Sequence, residues 1–382
     1  MKKFIACLIL ISAFSISRAQ EDSCQLRISL LTCTPGDELY STFGHSALRV
    51  VDSANGYDLV FNYGTFDFED PDFYEKFING KLLYFVSIDS LPYFLYEYEY
   101  FKRGVTEQVV DLECAEKKKL VNALFENAKE QNKYYRYDFN YDNCTTRLRD
   151  MIEQVAGEKM ITNNLLPKPN TTFRKLIHDY LEKGGQQWSE FGIDILLGSP
   201  LDKIVTNRES MFLPDYMLKA FDSSTLQGKP LVAEKKVLLQ HKGLQTKKII
   251  FTPVLVFCIL FLTVLFLSIF VSKESMILKA FDFIFFLLLG LIGLLLLYMW
   301  FVTDHAMTKN NYNLLWAFPL HIISCILVLN KKKWVNYYFR FIFYYTLVIL
   351  LAWFFLPQQF NLAFIPITGI ILVRSSFISK RN

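Results

Sequence analysis

Apolar and polar positions divide this chain near residue 249. Before that point they alternate or recur over short stretches; from there to residue 373 they merge into long apolar runs. Residues 26–33 alternate weakly and predict a strand, which Pro35-Gly36-Asp37 ends. From Ser46 the two-fold pattern returns in Ala47, Leu48, Val50 and Val51. Asn55-Gly56 is a hairpin turn signal, and Asp58 to Thr65 is the return strand. His45 therefore opens one arm of a hairpin, with Asn62 to Phe66 roughly opposite. A short helix is predicted over 71–79, with Pro71 at its start and Gly80 just past its end. Strands follow at Leu82–Ile88 and Val105–Leu112, and helices at Pro92–Lys102 and Glu116–Asn132. The second helix aligns Leu120, Leu124 and Ala128 on one face. An aromatic stretch from Tyr134 to Tyr141 leads into a helix at Cys144. Beyond Gly157 the pattern is irregular, with helices predicted at 173–181 and 188–198 and a short segment at 215–221.

The apolar runs read as spans. Ile249–Val271 is long enough to cross a bilayer, and Ala280–Val302 is a second such run with Asp282 near its edge. Tyr312–Leu329 and Tyr337–Leu356 are a third and fourth. Leu362–Val373, interrupted by Pro366 and Gly369, is a weaker fifth, tilted or re-entrant. Lys273 and Lys279, then Lys331 to Lys333, then Arg374, Lys380 and Arg381 mark alternate connections as cytoplasmic. The 303–311 loop then faces outward, on the side of residues 20–245. Lys235, Lys236, Lys242, Lys247 and Lys248 form a basic neck on the wrong side for this rule, but a signal peptide carries a long domain across regardless of charge. Residues 1–19 have that form: Lys2 and Lys3, an apolar stretch from Phe4 to Phe14, and Ser17-Arg18-Ala19 at the cleavage positions. The competing reading is an uncleaved anchor. Gln20-Glu21-Asp22-Ser23 is too polar to precede a lipidation cysteine at Cys24.

Composition adds little except through its unevenness. The hydrophobic share is 52% with 36 Phe, an excess carried by the C-terminal third. A net charge of +4 without a recognition motif argues against nucleic acid. Cys258 and Cys325 sit in apolar spans, and Cys24, Cys33, Cys114 and Cys144 lie in the N-terminal part. If Cys144 is free, at most one pair of the other three can bridge, and the sequence does not choose it.

The candidate chemistry lies in Tyr141-Asp142-Asn143-Cys144-Thr145-Thr146-Arg147. A thiol at a helix N-terminus is pushed toward the thiolate by peptide N–H groups and the positive dipole end. His45, in Phe43-Gly44-His45-Ser46, is the candidate base. A third polar group usually orients such an imidazole. Asn62, Tyr63 and Thr65 are the candidates, and the turn length decides which shares the face of His45; Asn62 is preferred. Arg147, one turn beyond Cys144, is placed to meet a phosphate headgroup. The bland alternatives are a buried structural cysteine and a structural histidine, against which the polar setting of both residues argues. His178 reads as part of a solvated helix face, His241 as part of the basic neck and His321 as buried between helices. No metal-ligand spacing is present and no cofactor is called for. Thr303-Asp304-His305 reads either as an ordinary polar loop or as a cap over a lipid path beneath the N-terminal domain.

Thr42-Phe43-Gly44-His45-Ser46-Ala47-Leu48-Arg49-Val50, Asn62-Tyr63-Gly64-Thr65-Phe66 and residues 141–147 together resemble the Lnb family of bacterial lipoprotein N-acyltransferases. Thr303-Asp304-His305 and Asn313-Leu314-Leu315-Trp316 resemble that family's membrane part. The order His-then-Cys is also similar to circularly permuted papain-like enzymes of the NlpC/P60 and lecithin:retinol acyltransferase kind. The resemblance implies an α+β fold: a signal peptide (1–19), a permuted papain-like (NlpC/P60-like) periplasmic domain (20–245) and an all-α transmembrane bundle of about five helices (246–382). It implies a multi-pass inner-membrane acyltransferase in which Cys144 carries an acyl thioester, His45 is the base and Asn62 the third member. Arg147, Tyr63 and His305 would contact substrate. The partners implied are a phospholipid acyl donor, a diacylglyceryl lipoprotein acceptor and the membrane. The alternatives are a membrane-tethered peptidoglycan amidase or peptidase, and a non-catalytic assembly or signalling protein.

Overall fold

A computed structural model describes residues 24–166, 168–241, 249–272, 275–330 and 332–380. The expected signal peptide, the 245/246 boundary and Lys242, Lys247, Lys248, Lys273, Lys331 and Arg381 lie outside these residues. The N-terminal half is a seven-stranded antiparallel sheet: β1 (Leu26–Cys33), β2 (His45–Asp52), β3 (Tyr57–Thr65), β4 (Leu83–Ser90), β5 (Val105–Val110), β6 (Tyr134–Arg136) and β10 (Val232–Leu239), in the order β10-β5-β1-β2-β3-β4-β6. Between the strands run α1 (Phe73–Ile78), α2 (Leu91–Tyr100), α3 (Cys114–Asn127) and α4 (Cys144–Ala156).

Strand alternation gives the sheet two buried faces. Ile28, Leu30, Leu48, Val50, Phe61 and Tyr63 pack with Leu120 and Leu124 of α3 and Leu148 and Ile152 of α4. Leu31, Cys33, Ala47, Val60 and Val105 pack with Phe94 and Tyr98 of α2. Glu113 and Glu116 form a capping box that starts α3 two residues earlier than its apolar face suggests. A disulfide between Cys24 and Cys114 ties the chain ahead of β1 to the first residue of α3, and Cys33 is free and buried.

β10 is the main element absent from the sequence reading. Lys235 and Lys236, expected in a basic neck, lie in this edge strand opposite Gln108 and Glu107. Lys235 pairs with Asp222 at 2.5 Å. Its charges are tolerated because an edge strand leaves side chains to solvent.

After α4 come the small β7 (Met160–Ile161), α5 (Phe173–Lys183), α6 (Gln187–Leu196), α7 (Asn207–Ser210), α8 (Pro214–Ser223), β8 (Thr225–Leu226) and β9 (Lys229–Pro230). The C-terminal part is helical: α9 (Pro253–Phe270), α10 (Met276–Phe301), α11 (His321–Leu327), α12 (Lys333–Ala352) and α13 (Phe364–Ile378). Among the described residues, three helices are long and apolar enough to cross a membrane: 253–270, 276–301 and 333–355. The expected third span, 312–329, is not one helix. A 3₁₀ turn at Tyr312–Leu315 is followed by Pro319, which has no N–H to continue a helix, and only the seven residues of α11 are α-helical. α13 is 15 residues long, about 22 Å at 1.5 Å per residue.

The charges at Asp282 and Arg374 also differ from expectation. Neither marks a span edge or a loop. Arg374 lies inside α13 and Asp282 inside α10, both fully buried, joined by bonds of 2.6 and 2.8 Å. Arg374 also donates to Ser268 of α9 at 2.7 Å, so one guanidinium ties three helices together. Burying such a pair in an apolar bundle is tolerable only because its geometry is bidentate.

The two parts are docked at two places. α6 lies against the helices, where Phe191 packs on Phe257 and Phe364. Asn313 donates to Asp194 O at 2.6 Å, Asn311 to Ile195 O at 2.8 Å, and Trp316 to Asn313 Oδ1 at 2.9 Å. The Asn313-to-Trp316 motif is thus an inter-domain clasp. The second place is the loop after α10, where Asp304 N–H donates to Asn79 O at 2.9 Å and Asp304 pairs with Arg136 at 3.1 Å.

Candidate active site

Cys144 is the first residue of α4, and its surroundings are fixed by the cap. Asn143 Oδ1 accepts from the N–H groups of Thr145 and Thr146, each at 2.8 Å. Thr146 Oγ1 accepts in return from Asn143 N–H. The cap leaves the Cys144 N–H outside its own bonds, at the positive end of the helix. Asn143 Nδ2 also donates to Phe139 O and Phe212 O at 2.8 Å each, so Asn143 is a structural keystone and not a reacting group. The loop ahead of it is held by Asp138, whose Oδ1 accepts from the N–H groups of Asn140 and Tyr141.

His45 opens β2, and its Nε2 lies 2.6 Å from Asn62 Oδ1. An amide oxygen only accepts, so Nε2 donates and Nδ1 is the nitrogen left for Cys144. The register Leu48↔Phe61 extends to place Asn62 on the face of His45 and Tyr63 on the other. Thr145 Oγ1 donates to Ser46 Oγ at 3.2 Å and pins α4 to β2 beside the histidine. Cys144 is 7% exposed. Burial would raise its pKa, but the adjacent His45 charge and hydrogen bond, the Ser46 N–H and the Thr145 hydroxyl outweigh burial and lower it to about 7. Burial likewise pulls His45 down, and the Cys144 charge and hydrogen bond with Asn62 raise it above its ordinary value. Each group favours the charged form of the other.

A direct consequence is testable. Because the thiol pKa is lowered, reactivity is gained as pH rises through about 7, not the ~8.5 of a free cysteine. Iodoacetamide labelling of Cys144, resolved from Cys33 by peptide mass spectrometry, should follow that midpoint. A midpoint at or above the free-cysteine value would remove the charged pair.

Gly64 is a site residue the sequence reading quoted only within a motif. Its φ is +88°, at a bulge between β3 and β4. A Cβ there would stand 3.5 Å from Cys144 Cβ, 3.6 Å from Tyr137 Cε2 and 4.0 Å from His45 Cε1. Any side chain would stand between Cys144, Tyr137 and His45, at a backbone conformation that favours glycine. A glycine inside a predicted strand is the signal for such a position.

The structure places the remaining candidates elsewhere. Tyr63 is 1% exposed in the α3–α4 core, where its hydroxyl accepts from Asn127 Nδ2 at 3.0 Å; strand alternation turns it away from His45. Arg147 is held by Asp142 through bonds of 2.6 and 2.8 Å and lies 3.5 Å over the Tyr135 ring. It braces the loop before Cys144 and is not an open phosphate ligand. His305 bonds through Nε2 to the carbonyls of Phe77 and Ile78, each at 3.1 Å, and docks the 303–305 loop on the end of α1. His178 is buried, not on a solvated face, and its Nε2 lies 2.9 Å from Asp194 Oδ1. His178, Glu190 and Asp194 converge as a metal trio would. Arg174 at 2.7 Å and Asn361 at 2.9 Å already occupy the two oxygens of Asp194, and a guanidinium repels a cation. This is an ion-pair knot beside the inter-domain clasp. His321 is buried against Phe286 as read.

Comparison with known families matches residues 15–179 to the Lnb N-terminal periplasmic domain and residues 245–381 to the Lnb transmembrane domain. The chain belongs to the Lnb family. It is therefore a membrane protein with a sheet-rich periplasmic domain followed by a helical transmembrane domain. Both quoted motifs around His45 and Cys144 fall inside the first match, and the Asp304 loop and the Asn313 clasp fall inside the second. No curated protein and no solved structure matches the chain.

Proposed function

We propose that the chain is a lipoprotein N-acyltransferase that moves a fatty acyl chain from a phospholipid to the α-amino group of a diacylglyceryl lipoprotein. The observation that carries the reading is the seating of His45 between Asn62 and Cys144, with Cys144 at the first position of α4. In the first step the Cys144 thiolate adds to the ester carbonyl carbon of the donor. The Cys144 N–H faces the resulting oxyanion. As the C–O bond breaks, protonated His45 gives its proton to the leaving alkoxide, and a lysolipid departs. In the second step the lipoprotein amine adds to the thioester carbonyl. Neutral His45 takes the amine proton, and the C–S bond breaks to regenerate the thiolate–imidazolium pair. An ester and an amine become an amide and an alcohol, with no cofactor and no metal.

A thiol with a pKa near 7 suits both steps, because the sulfur must attack and later leave. The anchor supports a lipid substrate: both proposed reactants reside in the bilayer, and α1 sits against the end of a membrane-length helix. On this reading the domain from residue 20 to 245 is a permuted papain-like fold, with the dyad delivered by a strand and a helix N-terminus. Residues 246–382 cross the inner membrane in five segments, the turn-and-α11 region and α13 completing the three long helices.

The test is acyl transfer from labelled phospholipid in vesicles. Label is expected on Cys144, released by neutral hydroxylamine and absent in Cys144→Ala. Turnover of peptidoglycan fragments without lipid label would instead favour an amidase. Full cellular function of both Cys144→Ala and His45→Ala would sink every enzymatic reading.

A further inference from the structure

An aromatic track links α1, docked on the end of α10, to Gly64 beside Cys144. Phe77 stacks on Phe73 at 6.2 Å, Phe73 lies 5.8 Å from Phe66, and Phe66 lies 5.3 Å from Tyr84. Tyr84 stacks on Tyr137 at 4.4 Å, and Tyr137 borders Gly64, which lies against Cys144. Phe66, Tyr84 and Tyr137 are half-buried. At the outer end Phe68 is 69% and Tyr74 76% exposed, with Phe77 and Ile78 about half exposed. Such a contiguous exposed apolar patch signals a binding surface.

The position of α1 identifies what covers the patch. Its C-terminal end is bonded to the loop that closes α10: Asn79 O accepts from Asp304 N–H, Asn79 Oδ1 accepts from the Tyr298 hydroxyl, and His305 meets the last carbonyls of α1. Gly80 lets this approach happen, since a Cβ there would stand 3.0 Å from His305 N. α10 has 26 residues, about 39 Å against a hydrocarbon core of about 30 Å. Its last turn, with Tyr298 and Trp300, therefore lies at the headgroup level where aromatic belts form. The exposed rings of α1 stand at the same level, in reach of acyl chains.

The geometry points to the track as the seat of the donor's fatty acyl chain, which climbs from the bilayer over the exposed Phe77, Tyr74 and Phe68, with buried Phe73 beneath them, and on past Phe66, Tyr84 and Tyr137 until its ester carbonyl meets Cys144 at Gly64. This rests on the acyl-transfer reading. The donor is the occupant because the chain on the track must be the one bonded to the carbonyl that sulfur attacks. The acceptor presents an amine there, with its own chains further removed. The same rings would hold the chain during the life of the thioester.

The experiment uses the full-length chain in phosphatidylcholine vesicles containing a phospholipid with a diazirine on its acyl chain. In Cys144→Ala, which cannot react, crosslinks are expected to map by mass spectrometry to the peptides covering residues 66–84 and 134–137. A Phe68→Ser/Tyr74→Ser/Phe77→Ser variant, altered at exposed positions, should lose roughly tenfold of that crosslinking. With Cys144 present it should lose a similar factor in thioester formation from vesicle lipid, while p-nitrophenyl butyrate, too short to use the track, acylates Cys144 at the parental rate. Replacement by Trp at the same three positions should keep lipid acylation. Crosslinks confined to the helices α9 to α13, or unchanged lipid acylation in the Ser variant, would overturn the proposal. So would an equal loss with the short ester. Crosslinks on the track without any label on Cys144 in the parent chain would leave the track standing and overturn the dyad.

Discussion

His45→Ala is expected to slow acyl transfer by roughly 10²–10⁴-fold, the usual contribution of a positioned acid–base group. The loss has two sources. The leaving alkoxide and the incoming amine lose their proton partner, and the thiol loses the charge that holds it near pH 7. With His45 gone, burial becomes the dominant influence on Cys144 and moves its pKa upward. Single-turnover thioester formation from labelled lipid should therefore fall, and the iodoacetamide midpoint should rise in the same variant. The fold should hold, because His45 begins β2 half-buried and its ring bonds Asn62 and the Cys144 thiol, neither of which carries the sheet's register. A rate within a few-fold of the parent, or a midpoint that stays near 7, would show that His45 is not the base.

Asp282→Leu is expected to cost about 3–5 kcal/mol, the penalty for leaving a buried charge without its counter-ion. Arg374 would keep only the neutral Ser268 contact among the bonds described above, in a setting where water does not compensate. Asp282→Leu combined with Arg374→Met should recover most of that loss, because apolar replacement of a whole buried pair is often neutral or stabilising. Unfolding of the purified chain in mixed micelles at rising SDS measures both. A double variant as unstable as the single one would mean that the pair contributes by more than mutual compensation. A single variant as stable as the parent would mean that water reaches the site.

The sheet was largely legible because its strands alternate and are bounded by Pro35-Gly36, Asn55-Gly56 and Gly80. β10 was not, because Glu234, Lys235 and Lys236 interrupt its apolar positions and only its place at the sheet edge makes them acceptable. That the 312–329 run is not one continuous helix was hidden for the opposite reason. Its apolarity conceals Pro319 and a polar turn whose partners, the carbonyls of α6, lie over a hundred residues away. Asp282 and Arg374 are 92 residues apart, and no local pattern announces that they meet. At the site, local chemistry pointed to Cys144, His45 and Asn62, and the structure brings these three side chains together. Local chemistry did not foresee the partners of Arg147 and Tyr63, which are set by the loop and by strand register. Gly64 was visible, but its importance is the absence of atoms, which appears only when its neighbours are known.

The two dockings of the sheet domain, through α6 and through the Asp304 loop, have a consequence for how the reactants find the thiol. The two attachments hold the sheet domain against the helices at Asn79 and Arg136 on one side and at Asp194 and Ile195 on the other, and so oppose tilting as well as translation of Cys144 relative to the helices. On the proposed acyl-transfer reading the search is then lateral: lipids diffusing in the plane of the membrane come to a reaction point that does not swing to meet them.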